Sequence, residues 1–302
     1  MAKLAFYVLI TFFLVTMNAA NGSDWHGQRV TTPLPLSLHT LAENGLPDGG
    51  IAIASPEHKI HSAWYSKPTT RYGHGILGDA IEAGGLSVKL VSGSVIEFTL
   101  PLHQVFEDIT PRLHDLGTTG ELNIITILTD VELGASLAVF AIVNNELKLI
   151  DQTPYIGRSH RWRNVAGIAD FDGDGNLQIA EVVTPHIGGT LKFWTWKKDK
   201  LVVSGEMMGF SNHFIGSREQ ELSTIEDFDG DGVSDIALPS ADRKSLRLIK
   251  FKGKARGAKT LEEIASIPFP ARIDKHIHSK FNGSSVIIHL GLEDGSLWSV
   301  YE

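Results

Sequence analysis

The stretch Thr224-Ile-Glu-Asp-Phe-Asp-Gly-Asp-Gly-Val-Ser-Asp-Ile-Ala237 decides how this chain is read. It sets a short apolar segment, an acidic glycine-bearing turn and a second apolar segment in succession, the pattern of two strands joined by a tight loop. The phrase occurs 57 residues earlier as Gly167-Ile-Ala-Asp-Phe-Asp-Gly-Asp-Gly-Asn-Leu-Gln-Ile-Ala180. About 55 residues before that, Asp115-Leu-Gly-Thr-Thr-Gly-Glu-Leu-Asn-Ile-Ile125 keeps the frame with its acids eroded. Phe281-Asn-Gly-Ser-Ser-Val-Ile-Ile288 repeats it in shortened form near the C-terminus, and a further position falls near Pro56-Glu-His-Lys59.

Within each period the chain reads as four short strands. After the Asp170 loop come Leu177–Val183, Leu191–Trp196 and Leu201–Gly205, with Val165–Ala169 before it. One such sheet cannot bury both of its faces, so neighbouring sheets must stack, and closing the stack into a ring removes exposed edges. Dividing the 302 residues, less a leader, by this period gives five units. The expected fold is therefore all-β, a five-bladed β-propeller of four antiparallel strands per blade, with six blades as the alternative. The last unit lacks a fourth strand, and Arg29–Leu41 is expected to supply it at an outer edge, where Pro33 and Pro35 are tolerated. Helical periodicity is scarce, and Lys259–Ala265 is its one fair candidate.

The divisions expected are residues 1–22 as a signal peptide, 23–50 as an extended segment closing the ring, and 51–302 as the propeller. Lys3 precedes the nearly unbroken apolar run Leu4–Met17, which is short for a membrane span but suits an export signal. Cleavage is expected between Ala19 and Gly22, and the mature protein is expected to be secreted or periplasmic with no stable membrane span. The sequons at Asn21 and Asn282 are read as incidental. Zero cysteines exclude a disulfide framework, Cys-ligated metal and a thiol nucleophile. A formal net charge of −8 argues against a nucleic-acid partner.

Asp227, Asp229, Asp231 and Asp235 occupy positions 1, 3, 5 and 9 of a nine-residue loop, with the Val233 carbonyl at position 7. Hard oxygens in such a turn suit calcium. Asp170, Asp172 and Asp174 repeat the first three acids, and Asn176 and Gln178 complete that candidate set, with an amide in place of the last carboxylate. The span Asp170–Glu181 also fits a twelve-residue EF-hand pattern. Its flanks read as strands rather than helices, which favours a strand–loop–strand site.

The phrase D-F-D-G-D-G-x-x-D-I-A after a short strand resembles the FG-GAP or VCBS repeat of integrin α-subunit propellers and many bacterial exported proteins. That resemblance implies a calcium-binding blade with structural ions at the Asp227 and Asp170 loops, and Gln178 departs from its pattern. It says almost nothing about a ligand.

Connections on the side away from these loops carry much of the histidine, arginine and aromatic content. Arg71, Tyr72, His74, Arg158, His160, Trp162, His213 and Arg272 are the candidates for a top-face site. Arginine forks match carboxylate or phosphate, and aromatic faces stack on sugar rings. The expected function is a non-catalytic binding module for an anionic, carbohydrate-like or protein partner. A propeller glycosidase or lyase and an assembly scaffold are the alternatives. Signatures of a serine nucleophile elbow, a zincin helix and a phosphate-cradling loop are absent.

Overall fold

The computed structural model describes residues 16–18, 24–31, 34, 40–42, 44–118, 120–252 and 261–302. Among them every regular element is a β-strand, and every pairing is antiparallel. Near the N-terminus, β1 (Thr16–Asn18) pairs with β2 (His26–Val30). A first set of four follows: β3 (Ala52–Ile53), β4 (Ile60–Thr69), β5 (Glu82–Leu90) and β6 (Val95–Thr99). The short β7 (Gln104–Phe106) bridges β5 to β9 of the next set, β8 (Arg112–His114), β9 (Asn123–Asp130), β10 (Gly134–Val143) and β11 (Glu146–Gln152). The third sheet runs β12 (Arg163–Ala169), β13 (Gln178–Val183), β14 (Thr190–Lys197), β15 (Lys200–Met208). The fourth runs β16 (Thr224–Glu226), β17 (Asp235–Pro239), β18 (Ser245–Phe251), β19 (Leu261–Pro268). The last contains β20 (His278–Phe281), β21 (Val286–Gly291) and β22 (Leu297–Tyr301), with β2 paired on β22.

The middle strands are apolar on both faces because each sheet is covered on both. On β9, Ile124 and Leu128 belong to a core shared with Tyr65, Leu86 and Phe140, whereas Ile125 and Ile127 belong to one shared with Val165 and Ile179. On β17, Ile236 and Leu238 pack with Phe171 and Phe193, while Ala237 packs with Leu290 and Trp298. A period of two therefore feeds two cores from one strand. First strands of successive sheets also meet: β3 lies against β8, β12 against β16, and β16 against β20.

Two local expectations change. The helix candidate Lys259–Ala265 is strand from Leu261 on, because β19 completes the sheet beside β18: Leu261 packs in the core with Phe251, and past a bulge Ala265 and Ile267 pack in the opposite core with Trp298. The N-terminal strand paired to β22 is His26–Val30 rather than Arg29–Leu41, in register from His26 opposite Tyr301 to Val30 opposite Leu297. That segment is free of proline, so every residue can donate to the ladder. Pro33 and Pro35 lie outside the described residues, as does the proposed leader 1–22 except for β1. No helix among the described residues is long and apolar enough to cross a membrane.

Candidate functional sites at the two ends of the sheets

The Asp227 loop joins β16 to β17 and is held by its own carboxylates. Asp227 accepts from the backbone N–H groups of Gly230, Asp231 and Gly232 at 2.8, 3.1 and 2.8 Å. Asp229 and Asp231 accept from the N–H of Asp231 and Val233. Gly230 and Gly232 take φ of 75° and 82°, left-handed values that let the turn tighten without strain. Oxygens of Asp227, Asp229 and Asp235 lie within 4.8 Å of one another. Asp235 is buried, and burial followed by the charges of its three loop partners pushes its carboxyl up to about 7. Oxygen donors crowded so closely, one of them desolvated, could hold a metal ion. One cation is already at hand, since Lys250 Nζ pairs with Asp229.

The Asp170 loop, between β12 and β13, has the same scaffold. Asp170 accepts from the N–H of Asp174 and Gly175 at 3.1 and 2.8 Å, and oxygens of Asp170, Asp172 and Asp174 lie within 4.8 Å. Position 9 differs in kind. In one loop the Phe228 N–H donates to Asp235 Oδ2 at 2.9 Å, and in the other the Phe171 N–H donates to Gln178 Oε1 at 2.6 Å. That backbone donor fixes the amide, so the Gln178 NH2 turns inward and donates to Asp172 Oδ1 and the Asn176 carbonyl at 3.1 and 2.8 Å. An N–H donor thus stands among the oxygens that an ion would need. The expectation that Gln178 offers an amide oxygen to metal does not match this arrangement.

Across β12 and β13, Ala169 pairs with Gln178 next to the acidic turn, and Arg163 pairs with Val183 at the far end. That far end carries the histidines. Tyr72 stacks on His160 at 5.2 Å, His74 lies edge-on to His160 at 5.0 Å, and Trp162 lies 4.7 Å from His213. His74, His160, Arg161, Trp162 and His186 line a pocket of about 270 Å³, with Ile187 and Ile215 exposed at its rim. His74 Nδ1 lies 2.5 Å from Glu107 Oε1, and Glu107 also accepts from Thr129. Burial drives this pair toward its uncharged forms, with Glu107 raised to about 8 and His74 lowered to about 4. Burial also lowers His186 to about 4 and His213 to about 3.

Five of the eight expected top-face residues, Tyr72, His74, His160, Trp162 and His213, thus gather in one place. The arginines do not. Arg71 is tied to the Gln104 carbonyl, Arg158 is exposed, and Arg272 pairs with Glu293 at 3.6 Å. Glu107 and His186 lie in the connections that the sequence singles out on this side but are not among the eight candidates; His186 stands in the Thr184–Gly189 connection, and Glu107, an acid that could enter a pocket, is paired with His74 only by the fold, across 33 residues.

A larger cavity of about 1010 Å³ lies between the first strands of the sheets, lined by Arg112 and His114 of β8, Val165–Ile168 of β12, Thr224 of β16 and Ser279 of β20. Its cations are matched. Arg112 meets the buried Asp108 at 2.5 Å, and Arg218 pairs with both Asp48 and Asp79. Gln220 Nε2 and the Tyr65 hydroxyl also donate to Asp108. Glu221 pairs with His276 at 2.8 Å, and that contact holds the imidazole above its ordinary range. Glu219 adds a further carboxylate to this wall. Compared with known proteins, the chain matches no family model and no curated sequence.

Proposed function

We propose that this chain is an exported, calcium-stabilised five-bladed β-propeller of the FG-GAP or VCBS kind, acting as a non-catalytic binding module. Its ligand is a neutral polyhydroxylated molecule, such as a glycan, held in the cavity between the first strands. The architecture is supported by four consecutive four-stranded sets and a fifth built from both chain ends, each pair of neighbours in the series sharing a core. The Asp227 loop supplies the calcium site, with Asp227, Asp229, Asp231 and Asp235 as carboxylate ligands and the Val233 carbonyl beside them. The ion would neutralise these acids and pin the β16–β17 turn; the loop takes no part in chemistry.

The observation that carries the ligand class is the pairing of every arginine on the cavity wall with a carboxylate. An anion would find no free guanidinium there and would meet Glu219 and Glu221. Hydroxyls of a sugar can both donate to these carboxylates and accept from Gln220, His276 and the wall's own hydroxyls, while Ile109, Ile168 and Ile277 meet its apolar faces. One observation favours the hydrolase reading: Glu219 and Glu221 place carboxylates close together in a cavity. They stand two residues apart on one wall, however, and glycoside hydrolysis needs carboxyl groups flanking the bond from both sides.

Calorimetric titration of neutral and sulfated oligosaccharides tests this. Neutral glycans should bind, and His276→Ala should weaken them about tenfold, a loss of about 1.4 kcal/mol. A preference for the sulfated series would refute the ligand class. Release of reducing ends by wild type, lost in Glu221→Gln, would establish the hydrolase reading instead.

A further inference from the structure

Each arginine on the wall of the larger cavity meets a carboxylate, but Arg161, on the histidine pocket, meets none among the described residues. Its guanidinium donates from Nη1 to the His160 carbonyl at 2.8 Å, which leaves most of a five-donor fork unspent. No Asp or Glu among the described residues lines this pocket, although the chain as a whole carries a formal net charge of −8. The imidazoles add no charge of their own at neutral pH. Burial lowers His74 and His186 to about 4, and burial followed by the charges of His74 and Arg161 lowers His160. One fixed positive charge therefore faces the pocket.

Around this charge stand apolar side chains from four separate connections. Ile76 lies between β4 and β5, Trp162 between β11 and β12, Ile187 between β13 and β14, and Ile215 between β15 and β16. Ile76 and Trp162 are buried, whereas Ile187 and Ile215 are 59% and 68% exposed, an unusual state for two isoleucines on one rim. The backbone is strained at the same place. His160 and Thr184, both on this pocket, adopt φ of 55° and 51°, and for a β-branched threonine the left-handed region is a true outlier. Such strain persists where the surroundings impose it, and it concentrates at ligand sites.

We propose that this pocket binds a small monocarboxylate with an apolar body, such as an aryl-alkanoate. The carboxylate takes the fork of Arg161, and the body lies against Ile76 and Trp162 and covers Ile187 and Ile215. A single fixed charge matches a monoanion; a phosphate dianion would keep one charge uncompensated among apolar walls. The volume of about 270 Å³ suits one ring on a short chain rather than an oligosaccharide, so this ligand differs in kind from the one assigned to the cavity between the first strands.

Calorimetric titration of phenylacetate into the full chain, with calcium present, tests the site. One equivalent should bind, and phenylacetamide, the uncharged isostere, should bind at least about tenfold more weakly. Arg161→Gln should weaken the acid about 10- to 100-fold and leave the amide nearly unchanged. Ile187→Ser combined with Ile215→Ser should weaken both ligands about tenfold. His276→Ala, at the larger cavity, should leave phenylacetate binding as it is. Arg161→Gln breaks no ion pair and the two isoleucines are exposed, so these variants should melt with the wild type. Absence of saturable binding, equal affinity for acid and amide, or binding unaltered in Arg161→Gln would overturn the proposal. So would inorganic phosphate binding as tightly as phenylacetate.

Discussion

The loops Asp170–Gln178 and Asp227–Asp235 have the same backbone and different interiors. In both, the first aspartate gathers N–H groups from the turn, and the residue at position 9 accepts from the phenylalanine N–H. The carboxylate of Asp235 leaves its second oxygen toward the other acids, whereas the amide of Gln178 presents N–H groups to them. Backbone hydrogen bonds therefore make the loop, and position 9 decides what neutralises it. One interior is anionic and calls for a cation; the other carries its own donor. Glu82 shows a third solution. It is buried at the start of β5, and desolvation, reinforced by Glu107, Asp79 and Asp108, raises it to about 9, so a proton neutralises it.

The largest effect expected from this comparison is a pH dependence. Glu82 keeps its proton in the folded chain to about pH 9 but loses it near 4.5 when unfolded. Stability should then be full below the unfolded value and fall as pH rises between the two, by up to about 1.4 kcal/mol per pH unit. Glu82→Gln should flatten that slope in thermal melts at fixed calcium, and an unchanged slope would show that Glu82 is not proton-neutralised. Next comes Asp227→Ala, which removes the acceptor of three backbone N–H groups. It should cost about 1–3 kcal/mol and abolish the rise in melting temperature with calcium.

Exchanging position 9 breaks the comparison directly. Gln178→Asp should add a second calcium equivalent in calorimetry and about 1.4 kcal/mol of stabilisation at ten times Kd. Asp235→Gln should remove the first equivalent. If Gln178→Asp gains no ion, position 9 is not what separates the loops. The smallest effect is expected at Lys250→Met, which takes away the ammonium paired with Asp229. Calcium should then bind a few-fold more tightly at low salt, with the gain fading as salt screens the pair.

The acidic loops were legible because everything that forms them lies within nine residues. The strands were legible for a like reason: Ile124-Ile125-Thr126-Ile127-Leu128 declares a strand with two apolar faces wherever it is placed. Edges were less so. The strand added to β22 could be anticipated from the missing fourth strand, but not its register, which depends on a partner some 270 residues away in the chain. Helix and strand periodicities overlap over Leu261–Ala265, and only the open edge of β18 chooses between them.

Sequence alone determined the all-β class, the repeat, and two acidic turns that differ at their ninth position. These follow from local patterning, since strand alternation and turn chemistry need no distant partner. Tertiary structure decided which histidines share a pocket, and that the arginines of the larger cavity are already paired. Those facts rest on contacts such as His74 with Glu107, His186 with His213 and Arg218 with Asp79, across 33, 27 and 139 residues. A side chain's charge state and free lone pairs belong to its surroundings, and packing alone assembles those surroundings.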